Sequence, residues 1–198
     1  KTEGILYAGT ERGLFVSFDD GISWNAFQSN LPVCPITDLI IKDNDLVAAT
    51  SGRGFWILDD ISAIQDSKGI MDSKTLKLFE PKPTHKYNLS ASSSYQVGKN
   101  PLAGIILDYH LPEFTNDSTQ TVLEIFNADG ALIRSFSSEK PKGFKSWPGG
   151  PAMPVVLPAK KGLNRFNWDL RREHLPGIDG VFVFGSPFGT TVSPGKRS

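Results

Sequence analysis

Carboxylates and arginines are the groups in this chain best able to do chemistry, and their spacing limits what that chemistry could be. Asp59 and Asp60 are adjacent, and Asp19 and Asp20 stand together before Gly21. Hydrolysis of a glycosidic bond needs two carboxyls facing one bond, roughly 5–9.5 Å apart. Neighbours on a strand point to opposite faces, so Asp59 and Asp60 cannot share a substrate without a turn between them. A strand end and helix cap is the better reading of that pair. Asp43 and Asp45 flank a turn at Asp43-Asn44. A calcium loop starting at Asp43 would need glycine where Ala48 stands, so these two read as solvated turn residues.

Arg12 and Arg53 each stand before a glycine and an apolar run, in Arg12-Gly13-Leu14-Phe15-Val16 and Arg53-Gly54-Phe55-Trp56-Ile57. Recurring arginines could form a cluster that binds a carboxylate; a structural contact repeated with the fold is the plainer account. His85, His110 and His174 are scattered without metal-ligand spacing, and the single cysteine, Cys34, excludes an internal disulfide and a cysteine-based metal site. No metal ligand set, cofactor motif or catalytic residue is therefore assigned. Ser186 in Gly185-Ser186-Pro187-Phe188-Gly189 stands second, not third, and so does not fit a nucleophile elbow. Phe144, Trp147, Phe182, Phe184 and Phe188 could form a platform for a sugar, but loop packing explains them equally well.

The elements that position these residues are short strands. Gly4–Gly9 and Gly13–Phe18 read as a hairpin, followed by the segment Ser17-Phe18-Asp19-Asp20-Gly21-Ile22-Ser23-Trp24. In that segment Gly21 supplies positive φ, Asp19 and Ser17 can accept from the turn's own amides, and Trp24 restarts a strand with a ring that needs burial. The stretch from Ala8 to Val16 is echoed from Ala49 to Ile57 with a period of 41 residues, the step from Arg12 to Arg53. At that step Ile5-Leu6 aligns with Leu46-Val47 and Asp19 with Asp60. The echo loses Ser17, Gly21 and Trp24 to Leu58, Ser62 and Gln65. Repeats of about 40–45 residues with several strands each suggest propeller blades. Ile36–Ile41, Leu46–Thr50 and Gly54–Leu58 make the second repeat, with a helical turn around Ile61–Gln65 and an outer strand at Leu76–Phe79.

Residues 81–100 are a linker by composition, with Pro81-Lys82-Pro83 and Ser92-Ser93-Ser94. Beyond it Gly104–His110, Thr121–Asn127, Ala131–Ser135 and Gly162–Leu170 read as strands, and Ala128-Asp129-Gly130 as a hairpin turn. A small β-sandwich fits residues 101–198. The tail from Gly180 reads as an extended loop.

Across 198 residues, 21 Lys and Arg balance 21 Asp and Glu, which argues against binding to nucleic acid or an anionic membrane surface. No apolar run approaches the roughly 20 residues needed for a membrane span. Nineteen glycines, 14 prolines and 11% aromatics suit an all-β chain. The start at Lys1 leads us to expect a piece of a longer protein.

Leu6–Ser17 and the following Ser17, Asp19, Gly21 and Trp24 resemble the final blades of sortilin-type Asp-box propellers (bacterial neuraminidase repeats), found in large bacterial proteins often labelled glycosyl hydrolases. Thr37-Asp38-Leu39 and Ser51–Asp60 add to that resemblance. Leu123–Gly130 and Gly162–Leu170 look like the Ig-like domain of the flagellar hook-capping type. The resemblance implies an all-β chain with two partial blades at 1–80, a linker at 81–100 and an Ig-like β-sandwich at 101–198. The sandwich is expected to lack its last strand, because Val192-Ser193-Pro194-Gly195 is followed only by Lys196-Arg197-Ser198. It also implies that Asp19 locks a turn away from any active centre. The expected role is that of a non-catalytic C-terminal part of a secreted, periplasmic or cell-surface protein. Its partners would be the upstream blades, and a glycan or protein. The alternative is part of a sialidase- or xyloglucanase-like glycoside hydrolase, in which Arg12 and Arg53 would line the cleft.

Overall fold

The computed structural model describes residues 3–70, 74–84, 103–114, 119–193 and 195. They form small antiparallel sheets and one four-residue helix, so the chain is nearly all-β as its composition indicated. Two compact units divide at Ser73/Lys74. That boundary lies before the expected one at residue 80, and most of the expected linker lies outside the described residues.

The first unit holds two three-stranded sheets. One is ordered β1 (Leu6–Thr10), β2 (Gly13–Ser17), β3 (Asn25–Ala26). The other is ordered β4 (Ile36–Lys42), β5 (Asp45–Thr50), β6 (Gly54–Leu58). Helix α1 (Ser62–Gln65) follows and buries Ala63 and Ile64. Asp43 and Asn44 both take positive φ, 51° and 70°, as a two-residue hairpin turn requires.

The two repeats superpose in pairing, with one correction to the alignment. Thr10 pairs with Gly13 around a two-residue loop, whereas Thr50 pairs with Gly54 around a three-residue loop. Each threonine hydroxyl donates to its glycine's carbonyl, at 3.0 and 2.7 Å. The step is therefore 40 from β1 to β5 and 41 from β2 to β6, and Leu6 corresponds to Leu46 rather than Val47. A second tie recurs. The Asp20 amide donates to Gly4 O at 3.0 Å, and the Ile61 amide donates to Asn44 O at 2.8 Å.

Strand alternation gives each sheet two faces. Tyr7, Gly9, Leu14 and Val16 share one face of the first sheet, and Leu39, Leu46, Ala48, Trp56 and Leu58 share one face of the second. These faces meet. A β-carbon on Gly9 would lie 2.5 Å from Ile36 Cγ2 and 3.3 Å from Leu39 Cδ1, so glycine is what lets β1 approach β4. Leu14, Phe27, Leu46, Ala48 and Trp56 line a small shared cavity of about 50 Å³. The buried core is Ile5, Leu14, Val16, Cys34, Leu46, Ala48, Ile61, Ala63 and Ile64.

The second unit contains β7 (Lys77–Leu78), β8 (Ile105–Leu111), β9 (Val122–Phe126), β10 (Leu132–Ser137) and β11 (Gly162–Trp168). Its sheets are β11-β8-β7 and β10-β9. Leu76–Phe79, expected as the outer strand of the second repeat, instead pairs with β8 through Lys77–His110 and Leu78–Tyr109. The Phe79 amide extends that pairing to Asp108 O at 2.9 Å. The β9–β10 hairpin turns at Asn127–Gly130, where Asn127 Oδ1 accepts from the Asp129 and Ala131 amides. Both sheets feed one core, including Leu107, Leu111, Ile125, Phe136, Phe166 and the fully buried Trp168. The tail is largely irregular, as expected. It returns through a bridge between Thr191 and Arg171 and buries Val192, whose amide donates to Leu170 O.

Trp168 fills the centre of this core, and its indole N–H donates to Arg171 O at 3.0 Å. Trp168→Ala should destabilise the second unit by about 3–5 kcal/mol. Urea unfolding followed by backbone NMR of that unit measures it; a loss below about 1 kcal/mol would contradict the packing described.

Candidate functional site

The Ser17–Trp24 segment is the most heavily bonded turn of the first unit. Ser17 is completely buried at the end of β2. Its hydroxyl donates to Asp19 Oδ1 at 2.8 Å and accepts from the Gly21 amide at 2.9 Å. Asp19 Oδ1 also accepts the Ser23 amide at 2.8 Å, while Oδ2 accepts the Ser23 hydroxyl at 2.5 Å. Asp20 and Gly21 take φ of 61° and 92°, conformations that these acceptors stabilise. The bonds from Ser23 and then Ser17 favour the charged form and pull the Asp19 pKa down to about 2. Both Asp19 oxygens are thus committed to their own turn. Trp24 departs from the expectation of burial. It is 43% exposed, and its ring lies beside Gly21 on the face that also carries Leu6.

Asp60 does related work in the second repeat. It takes φ of 50°, and its Oδ1 accepts from the Ser62 amide at 3.1 Å and the Ser62 hydroxyl at 2.5 Å, ahead of α1. Its own amide donates to Asp45 Oδ1 at 2.9 Å. Asp60 therefore bonds the first residue of the helix from one position ahead of its cap, which is Ile61 and makes no side-chain cap bond, so the expected helix-cap role is met only in this looser form.

Arg12 and Arg53 both lie in exposed hairpin loops, at corresponding places in the two repeats. The Arg12 amide donates to Thr10 Oγ1 at 3.1 Å, and Arg53 O accepts the Trp56 indole N–H at 3.1 Å. These bonds use the arginines' backbone. Neither guanidinium has a hydrogen-bond or ion-pair partner among the described residues.

In the second unit, sequence reasoning missed a clamp around Arg134. This side chain is only 4% exposed, and its Nη1 donates to Arg171 O and Arg172 O at 3.3 and 3.0 Å. Nη2 lies 2.8 Å from His174 Nε2, and the Gly189 amide lies 3.0 Å from His174 Nδ1. Both neighbours are donors. A neutral imidazole has one lone pair and can satisfy one of them; a protonated ring satisfies neither. Burial first, and then the Arg134 guanidinium, hold the His174 pKa below its ordinary value. Ile133 and Arg134 are both buried next to a register irregularity between Leu132 and Arg134, so strand alternation in the sequence gives no hint of a buried arginine. The bidentate pair of Arg165 with buried Asp108, at 2.8 and 2.9 Å across β11 and β8, was equally unforeseen.

A broad cavity of about 970 Å³ borders this clamp. Lys140, Lys142 and Lys145 line it together with Glu139, Glu173 and Asp179, so the charges are mixed. Trp147 anchors its wall: the indole N–H donates to Val181 O at 2.9 Å, and Gly150 packs against the ring with no room for a β-carbon. Phe182 and Phe184 stack edge to face at 4.8 Å. Trp147 is thus packed within its loop, whereas Phe182, Phe184 and Phe188 stay 53%, 95% and 50% exposed, so loop packing accounts for only part of this aromatic set. His110 is buried with Nδ1 3.3 Å from Thr75 O, and His85 lies outside the described residues. Among the described residues no group of three or more His, Cys, Asp or Glu is placed to hold a metal ion, and no helix is long and apolar enough to cross a membrane.

Compared with models of known protein families, with curated proteins and with solved structures, the chain matches none.

Two outcomes test the turn. Ser17→Ala leaves the Gly21 amide and Asp19 without their buried partner and should cost about 1–3 kcal/mol in chemical denaturation. Asp19, depressed in the folded state, lends stability above the ordinary carboxylate range that is lost as pH falls from about 4 through about 2. Carboxyl-detected NMR titration should place its midpoint near 2; a midpoint near 4 would show that the Ser17 and Ser23 bonds are not made.

Proposed function

We propose that the first unit is a pair of adjacent Asp-box propeller blades and that the second is an Ig-like β-sandwich. In this reading the chain is an architectural and interaction segment of a secreted or cell-surface protein, without catalytic residues of its own. Further blades of the same protein complete the ring, and a glycan or a protein is the external partner.

The observation that carries this reading is the spent carboxylate. A catalytic acid, base or nucleophile must reach a substrate. Asp19, the acid of the strongest motif, turns both oxygens back onto Ser17 and Ser23. Asp60, its counterpart one repeat on, accepts from Ser62. The recurring pairings support the two-blade part of the reading: each repeat has its threonine–glycine hairpin closure and its amide tie to the hairpin's start.

The test is turnover. The purified chain should give no saturable hydrolysis of aryl sialosides or of β-glucan oligosaccharides at any pH from mildly acidic to neutral. Saturable turnover lost on replacing one of its carboxylates would overturn the non-catalytic reading and favour the glycoside hydrolase.

A further inference from the structure

His174 stands between two donors that belong to different parts of the second unit. Arg134 Nη2, from β10, lies 2.8 Å from its Nε2, and the Gly189 amide, from the returning tail, lies 3.0 Å from its Nδ1. With one lone pair, the neutral ring accepts from one donor and turns an N–H toward the other. The contact is thus only half satisfied before any proton arrives.

The tail around Gly189 is fastened on both sides by bonds that do not involve His174. On one side the Trp147 indole N–H donates to Val181 O at 2.9 Å, and the Val183 amide donates to Gly149 O at 3.2 Å. On the other, the Arg172 amide donates to Thr190 O at 2.9 Å, and the amide of buried Val192 donates to Leu170 O at 2.8 Å. Between these anchors Phe188 meets the His174 ring edge to face at 5.2 Å. The Leu175 amide donates to Pro187 O at 3.1 Å and Arg171 Nη1 to Gly189 O at 3.0 Å. Gly189 is buried and sits so close to the chain beneath it that a β-carbon would lie 2.3 Å from both Arg172 O and Glu173 O.

Protonation turns both ring nitrogens into donors. The buried Gly189 amide then loses its acceptor, and an imidazolium stands 2.8 Å from a guanidinium. We propose that His174 is an acid-operated latch for residues 184–189: the neutral ring keeps Phe188 and Gly189 seated, and the protonated ring releases them while the anchors at Val181 and Val192 hold. Burial acts first against the proton, joined by Arg134 and Arg171, while Asp169 and Glu173 favour it; the balance keeps the seated ring's pKa below the ordinary 6.5. A released ring titrates near its ordinary value, so proton uptake favours release as pH falls below 6.5. The latch lies within the second unit and is independent of the blade reading of the first.

Amide hydrogen exchange followed by NMR on the full chain tests it. Between about pH 7.5 and about pH 5, Gly189 protection, corrected for intrinsic exchange, should fall about tenfold or more, in step with the titration of the His174 ring protons. The amides of Val192, β8 and β11 should keep their protection. His174→Asn offers the Gly189 amide an acceptor that does not titrate, so its Gly189 protection should stay level over that range. Gly189→Ala props the segment off the Arg172 and Glu173 carbonyls at every pH and should move the His174 midpoint up toward 6.5.

Gly189 protection indifferent to the His174 titration overturns the proposal. Protection lost at Gly189 and Val192 together overturns it as well, because that is unfolding of the unit and not release of a segment. A fall that persists in His174→Asn assigns the proton elsewhere and has the same consequence. If His174→Asn does not fold as judged by circular dichroism, Gly189→Ala decides: a raised His174 midpoint supports the latch, and an unmoved one overturns it.

Discussion

The constraint on which this molecule depends is that a two- or three-stranded antiparallel sheet is too small to be stable alone. It must bury one face against another layer. Both units answer this with a second small sheet. In the first, β1 comes close enough to β4 for Ile36 to occupy the space of a missing side chain at Gly9. In the second, the hairpin of β9 and β10 and the sheet of β11, β8 and β7 share a core around Trp168. Loops then take the form that lets these faces meet. The turns at Asp43-Asn44 and Asn127–Gly130, and the Ser17–Trp24 segment, use positive φ and side-chain acceptors to reverse the chain in a few residues.

Strands and hairpins were legible in the sequence because their signals are local. Alternation, a glycine after each hairpin loop and paired turn residues need no knowledge of distant partners. Register was less so. The step between Arg12 and Arg53 is 41, but an extra loop residue before Gly54 shifts β1 against β5 by one. Only the pairing of Thr10 with Gly13 and of Thr50 with Gly54 exposes the slip. Partner choice was not legible at all for Leu76–Phe79. The alternating run Leu76-Lys77-Leu78 reads as a strand whichever sheet receives it, and its ladder with β8 is set by tertiary context that no local pattern encodes.

The candidate site divides in the same way. Ser17, Asp19 and Gly21 were readable because an Asx-type turn is closed by residues within a few positions of one another. Trp24 was not, since its burial depends on what lies over its face. Arg134 and His174 were invisible for a related reason. The contact joins residues 40 apart in sequence through a side chain buried beside a shift in strand register, next to an equally buried Ile133. A charged group in an apolar run carries no local sign of the carbonyls of Arg171 and Arg172 that make its burial tolerable.

The two repeats also separate the task of the Ser17–Trp24 turn from the means. Both copies make the same backbone tie between the residue after the aligned aspartate and the residues that open the hairpin, Asp20 to Gly4 and Ile61 to Asn44. In the first copy polar groups enforce it, with buried Ser17 and the two oxygens of Asp19 holding Asp20 and Gly21 at positive φ. The second copy keeps Asp60 at positive φ and replaces the rest with a helical turn whose Ile61, Ala63 and Ile64 are buried. Hydrophobic burial there, together with the bonds of Asp60 to Ser62 and Asp45, does what the Ser17 and Asp19 hydrogen bonds do in the first repeat. A motif that can be exchanged for a buried isoleucine while the tie survives is serving geometry.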